Sequence, residues 1–272
     1  MFKDILAVLT EDRGAAAAVA LAIAGRFGAH VSAVAPSPDP ELTAAALAEL
    51  EYGAFLVGEP EREERARRRL ESFAARAMAA GIAVETVAPD REDAQVPRLH
   101  QLARAFDFVV MERPEGRRAP AAGGEIGAML IHSGRPVLAA PNIRDEPFAF
   151  DGVALAWDAS ASAARAMAEA MPALRRAKAV EVVTVRDAKA TRGGPGGAEI
   201  VRHLARHGVA ASFTELPGGA DAGGLLLSHA ADRGVNLVVA GAYGHTRLAE
   251  AVFGGFTRTL LESSSVPLFL SH

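Results

Sequence analysis

The chain has 272 residues, half of them hydrophobic, which is enough for one large domain or two small ones with a sizeable core. Charged residues make up 23% and the net charge is −4, an ordinary balance that offers no basic surface for nucleic acid. Cysteine is absent, which excludes disulfides and thiolate metal sites and fits a reducing compartment.

The first predicted strand, residues 3–9, lies in MFKDILAVLTEDRG. Its apolar run is too short and too broken by charge for a signal peptide. No later run approaches the roughly 20 apolar residues that span a bilayer. The expectation is a cytoplasmic protein with no membrane partner. An alanine-rich helix follows, then a strand near 30–35. Residues 36–62 read as an insertion, one helix between two loops, able to pack over the C-terminal edge of the first sheet. The run EREERARRRLESFAARA is a charged helix whose interspersed Glu and Arg suit a solvated face. Strands near 82–88, 107–112 and 136–140 complete the first half. A polar linker with two prolines, Pro141 to Gly152, leads to strands near 152–157, 179–185, 209–215, 236–241 and 266–270.

The two halves repeat one another. ILAVLT at Ile5 matches VALAWD at Val153, and AGIAVET at Ala80 matches HGVAASF at His207. FDFVVMERPEG at Phe106 matches VNLVVAGAYGH at Val235, and SGRPVLAAP at Ser133 matches SSVPLFLSH at Ser264. The order is the same in both. Short continuous apolar strands alternate with longer Ala-, Arg-, Leu- and Glu-rich helices. That alternation predicts an α/β protein of two tandem domains, 1–143 and 150–272, each a five-stranded parallel sheet with helices on both faces.

Ligands of open parallel sheets sit beyond the C-terminal ends of the strands. Gly241 stands at such an end, where glycine can take positive φ and lets a ligand reach the backbone. Gly254 and Gly255 precede the helical pattern FTRTLLESS, whose free N–H groups suit a phosphate. Gly241, Gly244 and Gly254 could clasp a phosphate chain, Thr257 could add a hydroxyl, and His245 or Arg247 a positive charge. The alternative is ordinary turn glycines before a helix.

GAYGHTRLAEAVFGG resembles the G-x2-G-x9-G-(S/T) motif of the universal stress protein family, and the resemblance covers nearly the whole chain outside the insertion and linker. It implies a Rossmann-like fold of the adenine-nucleotide α-hydrolase kind and a stress-response module. Its implied ligand is ATP or another adenine nucleotide, with Mg2+ accompanying it. By position it assigns Asp158 to the adenosine end, Val185 to a backbone contact with adenine, and Gly241, Gly244 and Gly254 to the phosphates. It also implies pairing of domains through their last strands, PVLAAP and VPLFLS, as an internal pseudo-dimer, with homodimerisation a further option. Gly255 stands where the motif has Ser or Thr, so one hydroxyl is missing.

The first half departs further. Thr10 replaces the aspartate, and Glu112 and Glu115 replace the loop glycines, where carboxylates would repel phosphate unless turned outward. Gly123 and Gly124 precede a helix without the rest of the site. This half reads as a relic site serving packing or partner binding.

Asp158 could instead cap the helix that begins in DASASAARAMAEA. Trp157, the only tryptophan, is either a wall of the site or a packed strand end. His203 and His207 are four apart on a helix without a completing ligand set, which argues for a solvated face and against a metal site. No G-x-S-x-G elbow or G-x4-G-K-(S/T) loop is present, and the carboxylates of a dedicated ATPase are not legible. A binding or signalling module is expected, with slow hydrolysis allowed and a nucleotide-free scaffold as the alternative. An adenylating enzyme would need a pyrophosphate loop that AWDASAS does not form.

Overall fold

The computed structural model describes residues 1–11, 14–36, 59–87, 96–113, 119–141, 148, 150–186, 194–219, 221–242 and 255–272. These fall into two compact units, Met1–Glu112 and Arg113–His272. All ten expected strands are present.

In the first unit, β1 (Asp4–Val8) is followed by α1 (Ala15–Phe27), β2 (His30–Val34), α2 (Glu59–Ala79), β3 (Val84–Val87), α3 (Val96–Ala103) and β4 (Phe108–Glu112). The strands are parallel, in the order β3-β2-β1-β4. β1 and β4 are apolar runs buried almost throughout, as expected for strands covered on both faces. β3 departs from the expectation of full burial. Its two central residues are exposed, because among the described residues it pairs only with β2 and lies at the edge. Ala66, Leu70, Phe73 and Ala77 form one buried stripe of α2, while the Glu and Arg side chains described from Glu63 to Arg76 are exposed or half-exposed. Most of the expected insertion, 37–58, lies outside the described residues.

The second unit holds α4 (Ala119–Ser133), β5 (Val137–Ala140), β6 (Gly152–Ala156), α5 (Ala161–Leu174), β7 (Ala179–Val185) and α6 (Gly197–Arg206). It continues with β8 (Ala211–Leu216), α7 (Ala222–Asp232), β9 (Leu237–Gly241), α8 (Gly255–Ser263) and β10 (Leu268–Ser271). The strand order is β5-β10-β9-β6-β7-β8. Every pairing is parallel except β5 with β10, where Leu268 faces Ala139, Phe269 faces Leu138 and Leu270 faces Val137. The last strands of the two repeats thus meet antiparallel, as a local two-fold relation requires. β8 is half exposed, for the same edge reason as β3.

One helix start differs from expectation. Gly123 and Gly124 lie inside α4 and do not precede it. The helix opens at Ala119 and Pro120, where a proline in the first turn forfeits no hydrogen bond. No helix among the described residues is long and apolar enough to cross a membrane.

Candidate functional site

β6, β7 and β9 lie side by side in the order β9-β6-β7, and their C-terminal ends carry Asp158, Val185 and Gly241. Trp157 N–H extends the ladder by donating to Val183 O at 2.8 Å, and Thr184 Oγ1 donates to Trp157 O at 2.9 Å. The chain is therefore fixed up to the residue before Asp158. The indole is buried and its Nε1 donates to Pro195 O at 2.8 Å, which ties the approach to α6 over the end of β6.

Asp158 itself is exposed. Its Oδ1 accepts a hydrogen bond from Ser160 N at 2.9 Å across Ala159, the one non-glycine among the described residues with positive φ (61°). The cap of α5 is Ser160 and not Asp158: Ser160 Oγ accepts from Ala163 N at 3.1 Å. The expectation of an Asp158 cap is corrected by this geometry. Asp158 stands two residues ahead of the cap, so it shapes the turn and its carboxylate remains turned to solvent. Ser160 Oγ and Ser162 Oγ lie 3.1 Å apart at the same helix start. These two hydroxyls were not picked out from the sequence, although a serine three residues before an amide that needs a partner was visible in DASAS.

Gly241 closes the site from the β9 side. Its φ is not positive, contrary to one of the reasons for expecting glycine there. The need is for space: a Cβ would lie 2.5 Å from Ala163 N and 2.6 Å from Ser162 Oγ. The N-terminus of α5 rests on the backbone of Gly241, and Asp158 stands at the same corner. The next residue, Ala242, is buried and held at both backbone groups, its N–H donating to Ser271 O at 2.7 Å and its carbonyl lying 3.2 Å from His272 Nδ1. The loop that follows therefore leaves from a fixed point. Gly244, His245, Arg247 and Gly254 lie outside the described residues.

Gly255 is the first residue of α8, where the sequence placed it just ahead of the helix. Among the described residues, a Cβ there would meet nothing within 4 Å. Thr257 is only 4% exposed and shares the buried stripe of α8 with Leu260 and Leu261. Its side chain belongs to the helix's inner face, while Gly255 stands open. Val185 ends β7, paired with Leu216.

The equivalent corner of the first unit is built differently. Glu112 ends β4 as Gly241 ends β9. It is turned inward and only 5% exposed, so the outward alternative does not hold. Its Oε2 accepts from Thr10 N at 2.8 Å and from Thr10 Oγ1. Its Oε1 is buried without a hydrogen-bond partner among the described residues. Gly14, the residue before α1, has no room for a side chain because a Cβ would lie 1.6 Å from that oxygen. Burial pushes the Glu112 carboxyl up to about 7, against the hydrogen bonds from Thr10 and from the Glu11 backbone, and with added repulsion from the Glu11 charge. Glu115 lies outside the described residues.

A second buried carboxylate lies away from these corners. Glu181 on β7 accepts from Thr214 Oγ1, lies 3.1 Å from His229 Nε2 and 3.6 Å from Arg233 Nε. Burial raises its pKa, but the Thr214 and His229 hydrogen bonds and the neighbouring positive charges outweigh that and hold it below the ordinary value. This cluster fastens α7 to β7. The rings of His203 and His207 lie tilted against one another near the end of α6, with centroids 4.6 Å apart and an interplanar angle of 54°. Among the described residues no group of His, Asp and Glu could hold a metal ion.

The architecture is found in proteins of known structure. A universal stress protein from Archaeoglobus fulgidus DSM 4304 superposes with a TM-score of 0.72 at 18% identity, covering 98% of this chain and 95% of that one. A functionally unknown protein from Pseudomonas aeruginosa PAO1 superposes with a TM-score of 0.61 at 17% identity, covering 99% and 92%. No family model and no curated protein matches the chain. The chain has the tandem α/β fold of the Archaeoglobus universal stress protein over nearly the whole length of both.

Proposed function

We propose that this chain is a tandem universal stress protein, with repeats at 1–143 and 150–272, and that its second repeat binds ATP or a related adenine nucleotide. The observation that carries this reading is the corner formed by Asp158, the start of α5 and Gly241, at the C-terminal ends of adjacent parallel strands. An exposed carboxylate beside a helix N-terminus suits a ribose or adenine donor. The open N-terminus of α8 at Gly255 suits a phosphate oxygen. In this reading Asp158 and Val185 hold the adenosine end. Gly241, Gly244, His245, Gly254 and Gly255 surround the phosphates, and Mg2+ arrives with them. The buried Thr257 fits a phosphate ligand poorly, so the backbone donors carry the contact.

The module binds and signals, and it hydrolyses slowly or not at all. It works in the cytoplasm as an internal pseudo-dimer of repeats, a reading supported by the antiparallel β5–β10 pair. Mass spectrometry of small molecules released from the purified, denatured protein tests the reading, followed by calorimetric titration with ATP. An adenine nucleotide recovered and rebound supports it. No nucleotide and no heat of binding would leave a scaffold of the same fold, which the missing hydroxyl at Gly255 favours.

A further inference from the structure

The two chain neighbours of Asp158 carry a stretch of backbone from elsewhere in the repeat. Gly194, Pro195 and Gly196 lead into α6, whose first residue is Gly197. At Gly194 a side chain has no room, because a Cβ would fall far inside van der Waals contact with the Cβ of Ala159. Pro195 O accepts from Trp157 Nε1 at 2.8 Å. Gly196 N–H donates to Glu199 Oε2 at 2.6 Å, and its carbonyl accepts from Glu199 N at 3.0 Å and Ile200 N at 3.2 Å. A Cβ at Gly197 would run into the Phe213 ring. The stretch is therefore docked at each of these residues, yet Gly194, Pro195 and Gly196 are exposed. Ala159 holds its place at φ 61°, a torsion that glycine takes freely and alanine does not. The methyl against Gly194 is what an alanine adds there.

We propose that Gly194–Gly197 is the base-side wall of the nucleotide site in the second repeat: the ring face of the nucleobase lies on the Pro195–Gly196 peptide, and Asp158 takes the ribose hydroxyls. The inference rests on the nucleotide reading of this corner. Both polar groups of that peptide are already used, the carbonyl by the indole and the N–H by Glu199. What it offers a ligand is a flat peptide face and the pyrrolidine ring. Such a surface gains by covering a neutral ring and has no donor for a phosphate. The exposed carboxylates of Asp158 and Glu199 also repel an anion here, so the phosphates lie away from this wall. A purine covers more of the surface than a pyrimidine does, which favours an adenine nucleotide.

Photolabelling of the full chain with 8-azido-ATP, which carries its azide on the base, tests the wall directly. Mass spectrometry of the digested protein should place the ATP-competed label in the peptide holding Gly194–Gly197. Gly194→Ala sets two methyl groups against each other and must shift the stretch. It should lower ATP affinity roughly tenfold, the contribution of one ring face covered, and move Trp157 emission. Ala159→Gly/Gly194→Ala gives back the space and should recover both. A competed label in another peptide overturns the wall alone, as does ATP affinity unchanged in Gly194→Ala. Should Gly194→Ala fail to fold, the position of the label in the parent decides. A parent that binds no ATP removes the site itself and the wall with it.

Discussion

The amide nitrogen of Ala163 lies where a Cβ on Gly241 would come within 2.5 Å of it, so the strand end and the helix start share a space that only glycine leaves open. Gly241→Ala should push α5 off the end of β9. The obstacle is backbone and cannot rotate away, so the expected loss is about 1–3 kcal/mol of stability. Denaturant unfolding of parent and variant checks this; an unchanged midpoint would show that the helix start yields freely. Any bound nucleotide should weaken in parallel, because Asp158 belongs to the same turn.

Gly255→Ser has room among the described residues, none of which stands within 4 Å of the new Cβ. It restores a hydroxyl at the open start of α8. One hydrogen bond to a charged group is worth roughly 1.5–3 kcal/mol, or about a tenfold or greater gain in ATP affinity. Gly244→Val, in the loop of the motif, should lower affinity while the fold survives. Calorimetry of parent and both variants decides; if neither moves, phosphate is not held there.

Trp157 is the only tryptophan, and it immediately precedes Asp158. Its emission should change on ATP addition, and the change should disappear in Asp158→Ala. Trp157→Phe removes the bond to Pro195 O and should cost about 1–2 kcal/mol, read by chemical denaturation. Saturable emission change in Asp158→Ala equal to the parent's would remove Asp158 from the site.

The two buried carboxyls should respond to pH in opposite directions. Glu112 is raised from 4.5 to about 7, so its folded form keeps the proton; stability is full below 4.5 and falls as pH rises to about 7. Glu112→Gln should therefore be more stable than the parent at pH 8 by up to about 3 kcal/mol and gain little at pH 4. Glu181 is held below 4.5, so its contribution is present above that value and is lost as pH falls through the lower folded value. His229→Ala should cost about 1–3 kcal/mol at neutral pH, with the difference shrinking in acid. Urea unfolding across the pH range tests both, and slopes of the same sign would contradict the assignments.

Strand positions were legible because a strand covered on both faces must be an unbroken apolar run, and VVAG or ILAVL can hardly be anything else. Helix starts were less legible. Asp158 and Ser160 are both good caps, and only the turn through Ala159 decides between them. The inward turn of Glu112 had a signal that went unused: it is the last residue of FVVME, whose other four positions are buried, so its surroundings are apolar whichever face it takes. The close approach at Gly241 could not be read from sequence at all, because it depends on where a helix that starts 80 residues earlier, at Ala161, happens to begin. The glycine there makes room for the start of α5, and its backbone does not take the positive torsion first invoked.

The antiparallel seam between β5 and β10 also bears on concentration. β10 has β9 on one side and β5 on the other, so neither of its edges is left for a second molecule. Two separate single-repeat chains joined in this way would part on dilution. Here the partners are tethered, at an effective concentration on the order of millimolar for a short linker. The seam should then hold at any protein concentration found in a cell, and melting should be independent of how much protein is present.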